Sequence, residues 1–221
     1  MLAKEIISDV IPAVRPSDAG IKALNWMEIF RISHLPIVEN DEFLGLISDT
    51  DIYDLNQVED TIESHNLSLF RPYVFQNQHL YEVISLAAGL NLSIIPVLDE
   101  KMKYTGVITL YDLVHEFAKL SAVESPGAIF TLELNLTDYS LTQIAQIIEG
   151  NDAKVLSMYL NNVPDSTKIE ITIKINKVEF SGIRQTFERY DYVIKSSFSD
   201  NDIIADMIEE RYEEFMNYLN I

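Results

Sequence analysis

The sequence predicts a mixed α+β (α/β) chain: two tandem α-β-β-α units, then a βαββαβ unit with a terminal helix. Three observations predict this. Segments around Leu35 and Ile94 repeat at an offset of about sixty residues. A linker-like stretch, SAVESPG, runs from Ser121 to Gly127. Beyond the linker, strand and helix periodicities alternate. The expected divisions are 1–60 and 61–121 for the repeats and 122–221 for the third unit.

Each element has a local reason. In the first unit, Pro16 and Ser17 signal the start of a helix over 19–31, in which Ile21, Leu24, Met27 and Ile29 fall near helical spacing. Leu35 to Val38 reads as a short buried strand, Glu39 to Glu42 as a polar turn, and Phe43 to Ile47 as a second strand. A helix comes next over 50–55. The second unit repeats the order: helix 79–89, strand 94–98, turn 99–103, strand 104–108 and helix 110–120. Neither unit is large enough to bury both faces of its own sheet, so two copies packed together are expected.

After the linker, residues 128–136 alternate, with Ile129 on one face and Phe130 and Leu132 on the other. Leu141, Ile144, Ile147 and Ile148 make an amphipathic helix that Gly150 stops. Residues 155–161 and 168–175 are strands; the latter, KIEITIKI, alternates as a half-buried strand does. A helix over 178–190 and a strand over 192–198 complete a ferredoxin-like split arrangement. Ser199 to Ile221 reads as a last helix, with Ile204, Ile208, Tyr212, Phe215 and Leu219 in one stripe and four glutamates on the polar face.

The repeat carries a motif. Pro36 aligns with Pro96, Gly45 with Gly106, Ser48 with Thr109 and Asp51 with Asp112, and Pro12 upstream aligns with Pro72. The offset slips from 60 to 61 in the polar turn, where an insertion is tolerated. The pattern L-P-h-V, polar turn, G-h-h-S/T-x-x-D resembles the cystathionine-β-synthase (CBS) domain, and two copies resemble a CBS pair over residues 1–121. The resemblance implies a Bateman module: a tandem pair whose cleft takes an adenosine-containing ligand, AMP, ADP, ATP or S-adenosylmethionine, and which commonly assembles as a homodimer.

Ser48, Asp51, Thr109 and Asp112 are the candidate ligand residues. An Asp at a helix start can accept both hydrogens of a ribose diol, while the hydroxyl and free N–H groups meet phosphate or ribose oxygens. The competing reading is equally physical: S/T-x-x-D is a helix cap. The two copies differ, because Asp49 follows Ser48 where Leu110 follows Thr109. A second carboxylate disfavours a phosphorylated ligand, so the Thr109/Asp112 pocket is expected to be the better site. By the resemblance His34, just before L-P, faces a ligand phosphate; Ile95 is read as its counterpart. Asp112 and His115 stand one helical turn apart, too few ligands for a metal site.

Composition excludes other classes. With 35 acidic and 16 basic residues the formal charge is −19, spread evenly along the chain, so nucleic acid and anionic membrane surfaces are not expected partners. There is no cysteine, hence no disulfide, thiolate metal site or cysteine nucleophile. The seven glycines are scattered, leaving no phosphate-cradling loop, and no serine sits in a G-x-S-x-G elbow. The reading is a non-catalytic cytoplasmic regulator, with neither signal peptide nor spanning helix.

The third unit resembles an ACT domain in topology, although its first strand-to-helix turn, Leu136 to Ser140, lacks the glycine usual where an amino acid binds. That favours dimerisation over amino-acid sensing. The whole order resembles the acetoin-utilization AcuB family. It implies a sensor whose adenosine ligand rearranges a dimer, with an unidentified regulated protein as a further partner. The alternative is a ligand-free homodimeric scaffold in which the motifs only cap helices.

Overall fold

Two glycines set the geometry of the first half. The computed structural model describes residues 1–54, 58–64 and 70–199, and the chain divides into two units, Met1–Phe117 and Ala118–Ile221. In the first unit, α1 (Gly20–Phe30) leads into an antiparallel pair, β1 (His34–Glu39) and β2 (Glu42–Ser48), then α2 (Asp49–Tyr53). The second repeat comprises β3 (Val74–Phe75), α3 (Leu80–Leu90), β4 (Ile94–Leu98), β5 (Tyr104–Thr109) and α4 (Leu110–Leu120). In β1–β2 the register shifts between Ile37 and Val38, opposite Gly45; in β4–β5 it shifts between Val97 and Leu98, opposite Gly106. The extra residue is Leu44 in one copy and Thr105 in the other. Both glycines adopt positive φ, 156° and 144°. The motif glycine thus serves a bulge that re-aims the strand toward the next helix.

The one-residue slip lies in the hairpins. Asn40 and Asp41, both at positive φ, close β1–β2 in a two-residue turn. In the second repeat the Asp99 carboxylate accepts from the Lys101 and Lys103 amides, each at 2.8 Å, and holds a longer loop. Arg31 and Asn91, sixty residues apart, end α1 and α3 in the left-handed conformation.

Three apolar clusters fill this unit. One belongs to repeat 1 (Val14, Ala23, Leu35, Ile47, Ile52 and Ile62 among it), one to repeat 2 (Ala3, Ile6, Val74, Leu80, Val83, Ile108), and one joins Phe43 and Leu46 to Leu92, Ile94, Leu98 and Val107. The segments that lead into the two repeats cross over: Ala3 and Ile6 pack into repeat 2, tied by Ala3 N–H to the Gln78 carbonyl at 2.9 Å and Ser8 N–H to that of Val107 at 2.8 Å. Ile62 packs into repeat 1.

Local differences from expectation have simple causes. Each repeat opens with a strand segment ahead of its first helix: β3 runs parallel to β4, and Val14 bridges Ile37 in parallel in the first copy. Segments this short carry no periodicity. His79 caps α3 instead of lying inside it; its ring nitrogen accepts from the Tyr81 amide at 3.2 Å. The predicted 50–55 helix is α2, Asp49–Tyr53; Leu55 lies outside the described residues.

The second unit contains β6 (Ala128–Asn135), α5 (Leu141–Glu149), β7 (Val155–Asn162), β8 (Lys168–Ile175), α6 (Ser181–Arg189) and β9 (Val193–Ser199). All pairings are antiparallel in the order β7-β8-β6-β9, which is the split βαββαβ arrangement expected. Phe130 and Leu132 on β6 and four isoleucines of β8 (169, 171, 173, 175) meet Ile144, Ile147 and Ile148 of α5 and Ile183 and Phe187 of α6. Helix α6 starts three residues later than predicted, because Phe180 packs its ring edge-on to Phe130, centroids 5.2 Å apart. The predicted terminal helix, 199–221, lies outside the described residues beyond Ser199, which ends β9.

Candidate functional site

Past each glycine bulge the strand ends on a hydroxyl residue that caps the next helix. Ser48 Oγ accepts from the Asp51 amide at 3.1 Å and donates to Asp51 Oδ2 at 2.7 Å; the Ser48 amide donates to the same oxygen at 2.8 Å. Thr109 and Asp112 repeat every contact: 3.1 Å, 2.6 Å and 3.1 Å. Both pairs are therefore reciprocal capping boxes. One oxygen of each carboxylate is thus engaged by the cap before any ligand arrives. Oδ2 is committed to the cap in both copies, while Oδ1 makes no hydrogen bond among the described residues.

The loops before β1 and β4 hold the two repeats together. Ser33 and Ser93 are equivalent, and their carbonyls accept from the first amides of α2 (Asp49, 3.1 Å) and α4 (Leu110, 3.2 Å). The Ser33 amide donates to Ser93 Oγ at 3.0 Å, and His34 Nδ1 lies 3.0 Å from the same oxygen. The Ser93 amide reaches His34 Nδ1 at 3.4 Å, so the neutral ring accepts there. Ser33 and Ser93 were not singled out from the sequence, although their sixty-residue offset was the available signal. The strand registers also correct one equivalence: His34 pairs with Ser48 and Ile94 with Thr109, so Ile94, not Ile95, is the counterpart of His34.

Charge separates the copies. The first turn of α2 carries Asp49 and Asp51, and Asp49 Oδ1 accepts from the Thr50 amide at 2.7 Å, occupying a helix-start donor. The first turn of α4 carries Asp112 alone. Burial holds the His34 imidazole below its ordinary value of 6.5, while the Asp49 and Asp51 carboxylates offset part of that fall. The folded chain therefore takes up this proton less readily than the unfolded chain. The stability that depends on the neutral ring is intact above the unfolded value and is lost as pH falls through the lower folded value. Urea midpoints measured from about pH 7.5 down to about pH 5 should decline, and the decline should be shallower in His34→Gln.

The other described histidines have structural roles: His79 caps α3 and His115 stacks on Tyr111 with centroids 6.4 Å apart. His65 lies outside the described residues. Among the described residues no group of three or more metal-ligating side chains occurs. No helix there is long and apolar enough to cross a membrane. Clefts of about 300 to 580 Å³ open elsewhere on the described residues, along α5 and α6 and between α3 and α4 among them.

The duplicated bulge-and-cap unit has a counterpart in a known family. Residues 3–56 and 71–119 each match the CBS domain, one match in each repeat. Inosine-5'-monophosphate dehydrogenase of Methanocaldococcus jannaschii is 30% identical over 111 residues, which is 49% of this chain and 22% of that protein. The chain thus matches about a fifth of that relative's length. Among solved structures, a CBS domain pair/ACT domain protein from Thermotoga maritima is 20% identical over 54% of this chain and 98% of its own, with a TM-score of 0.48. CBSX2 in complex with AMP is 17% identical over 53% of this chain and 96% of its own, at 0.45. The CBS domain of a bacterial CNNM/CorC family Mg2+ transporter in complex with ATP is 19% identical over 53% and 87%, at 0.44.

Proposed function

We propose that the protein is a non-catalytic regulatory sensor that binds an adenosine-containing ligand on its CBS pair and transmits binding through a homodimer. The observation that carries this reading is the duplicated cap: each repeat presents a hydroxyl and an Asp at a helix start, with one carboxylate oxygen uncommitted. That oxygen can accept from a ribose hydroxyl without dismantling the cap. The ligand prefers the Thr109/Asp112 side, where no second carboxylate crowds the helix start, and a singly phosphorylated or uncharged adenosine compound meets less repulsion there than ATP. His34 contributes from the start of β1, where its ring meets Ser93 of the other repeat. The three divisions 1–60, 61–121 and 122–221 serve as two sensing repeats and an ACT-like dimerisation unit, as in the acetoin-utilization AcuB family. An unidentified regulated protein reads the rearrangement, which is a population shift set by the ligand's differential affinity.

Thermal shift and calorimetry against AMP, ADP, ATP and S-adenosylmethionine test this. A binding ligand raises Tm progressively with concentration. Asp112→Ala should weaken it by roughly 10- to 100-fold, the loss of a charge-assisted hydrogen bond, and Asp51→Ala by less. Equal losses would refute the preference between sites. No Tm change with any of the four would leave the ligand-free scaffold as the function.

A further inference from the structure

In the second unit a cleft of about 520 Å³ lies along α5 and α6, with Thr142, Gln143, Gln146, Asn151, Thr186 and Arg189 in its lining. Its lining holds no carboxylate, in a chain with 35 acidic residues. Its one charged group is Arg189. Elsewhere in the unit, Lys154, Lys168, Arg184 and Lys195 each face a glutamate, and Lys177 donates to the Asn151 carbonyl at 2.7 Å. Among the described residues, the only recorded contact of the Arg189 guanidinium is a long one, 3.4 Å, to Thr186 Oγ1.

The neighbouring polar groups are biased toward donation. The Tyr192 hydroxyl donates to Gln143 Oε1 at 2.8 Å, which commits the amide oxygen and leaves its N–H groups. Thr186 donates to the Gly182 carbonyl at 2.8 Å, so its oxygen faces the cleft as an acceptor that Arg189 and Asn151 share. Thr142, Gln146 and Tyr190 add polar side-chain hydrogens with no recorded partner among the described residues. An adjoining cleft of about 380 Å³ shares Gln143 and Tyr190 but carries Glu133, Asp138 and Asp191 against one cation, Lys168, which is already paired with Glu133, so an anion there would meet net negative charge. The two clefts therefore divide by charge.

We propose that the α5–α6 cleft binds the oxyanion group, carboxylate or phosphate, of a small metabolite, with Arg189 as its counter-charge and Gln143 and Thr142 as donors. A guanidinium offers a planar fork to a carboxylate or a phosphate, and the volume suits a small polar molecule. The site is independent of the adenosine reading, since every residue in it belongs to the second unit. The overall charge of −19 opposes any anion, so the affinity is modest and weakens with salt.

Calorimetry of the full chain with citrate and, separately, with inorganic phosphate at fixed ionic strength tests the proposal and distinguishes the two sources of the group. Saturable binding of either is expected, weakened about tenfold by Arg189→Gln. Arg184→Gln, which removes a cation already paired with Glu188, should change it less than about twofold. Asp112→Ala should leave it unchanged, which separates failure here from failure of the nucleotide site. Absence of saturable binding of both probes would overturn the proposal, as would an equal loss in the two arginine variants or full binding by Arg189→Gln.

Discussion

Phe130→Ala lowers the stability of the second unit by about 3–5 kcal/mol. The ring is fully buried on β6, a central strand hydrogen-bonded to β8 on one side and β9 on the other. It stands edge-on to Phe180 at 5.2 Å and tilted against Phe187 at 5.6 Å, and Phe187 in turn contacts Tyr192 at 5.5 Å. Truncation removes a large apolar surface from the centre of an aromatic cluster that sheet and helices cannot close over. A domain of this size has a total stability of only about 5–15 kcal/mol, so the variant should be close to unfolded. Urea denaturation followed by near-ultraviolet circular dichroism beside tryptophan fluorescence is the measurement: the single tryptophan, Trp26, lies in the first unit, so a dichroism transition that its fluorescence does not share belongs to the second. A loss below about 1 kcal/mol would contradict this packing.

Gly106→Ala destabilises the first unit by about 2–3 kcal/mol. Two costs add. At φ 144° the backbone is in a region that side chains avoid, and an added Cβ would lie 2.4 Å from Ile7 Cγ2 and 3.5 Å from the Ser8 carbonyl oxygen. Relief requires either moving the amino-terminal segment or turning β5, and β5 ends on Thr109, the cap of α4. The variant should therefore lose adenosine-ligand binding beyond what its stability loss explains. Gly89→Ala is the control. Nothing lies within 4 Å of its added methyl, and the position is helical, so stability should rise by roughly 0.5–1 kcal/mol. Thermal melts of both variants decide the matter; equal effects would refute the bulge argument.

The repeat was legible because it placed chemically demanding residues at fixed offsets. A glycine required by a bulge and a hydroxyl required by a cap recur whether or not the surrounding residues do, and Gly45/Gly106 and Ser48/Thr109 are such positions. The βαββαβ order was legible because β6 and β8 alternate over one buried face for most of their length, until Lys174 of β8 is buried as well. What escaped was non-local. The pairing of Ser33 with Ser93 leaves no trace in periodicity, and two-residue β3 is too short to have any. Phe180 looked like the first turn of a helix because an apolar residue at helical spacing and one committed to an aromatic cluster read alike. For the candidate site, the sequence set Ser48 with Asp51 and Thr109 with Asp112, the pairs that hydrogen-bond in the fold, but left capping and ligand contact unresolved. The hydrogen bonds show that one carboxylate oxygen of each Asp already has its task.

The crossed leading segments of the two repeats bear on how such a fold can exist at all. Cut between the repeats, the chain would leave repeat 1 without Ile62 and repeat 2 without Ala3 and Ile6. A lone repeat could complete its core only by trading those strips with a second molecule, as in a domain-swapped dimer. The tandem pair is physically the same exchange made within one molecule. Covalent linkage replaces dependence on protein concentration with a fixed local one, so the two halves are bound to fold and unfold as a single cooperative body.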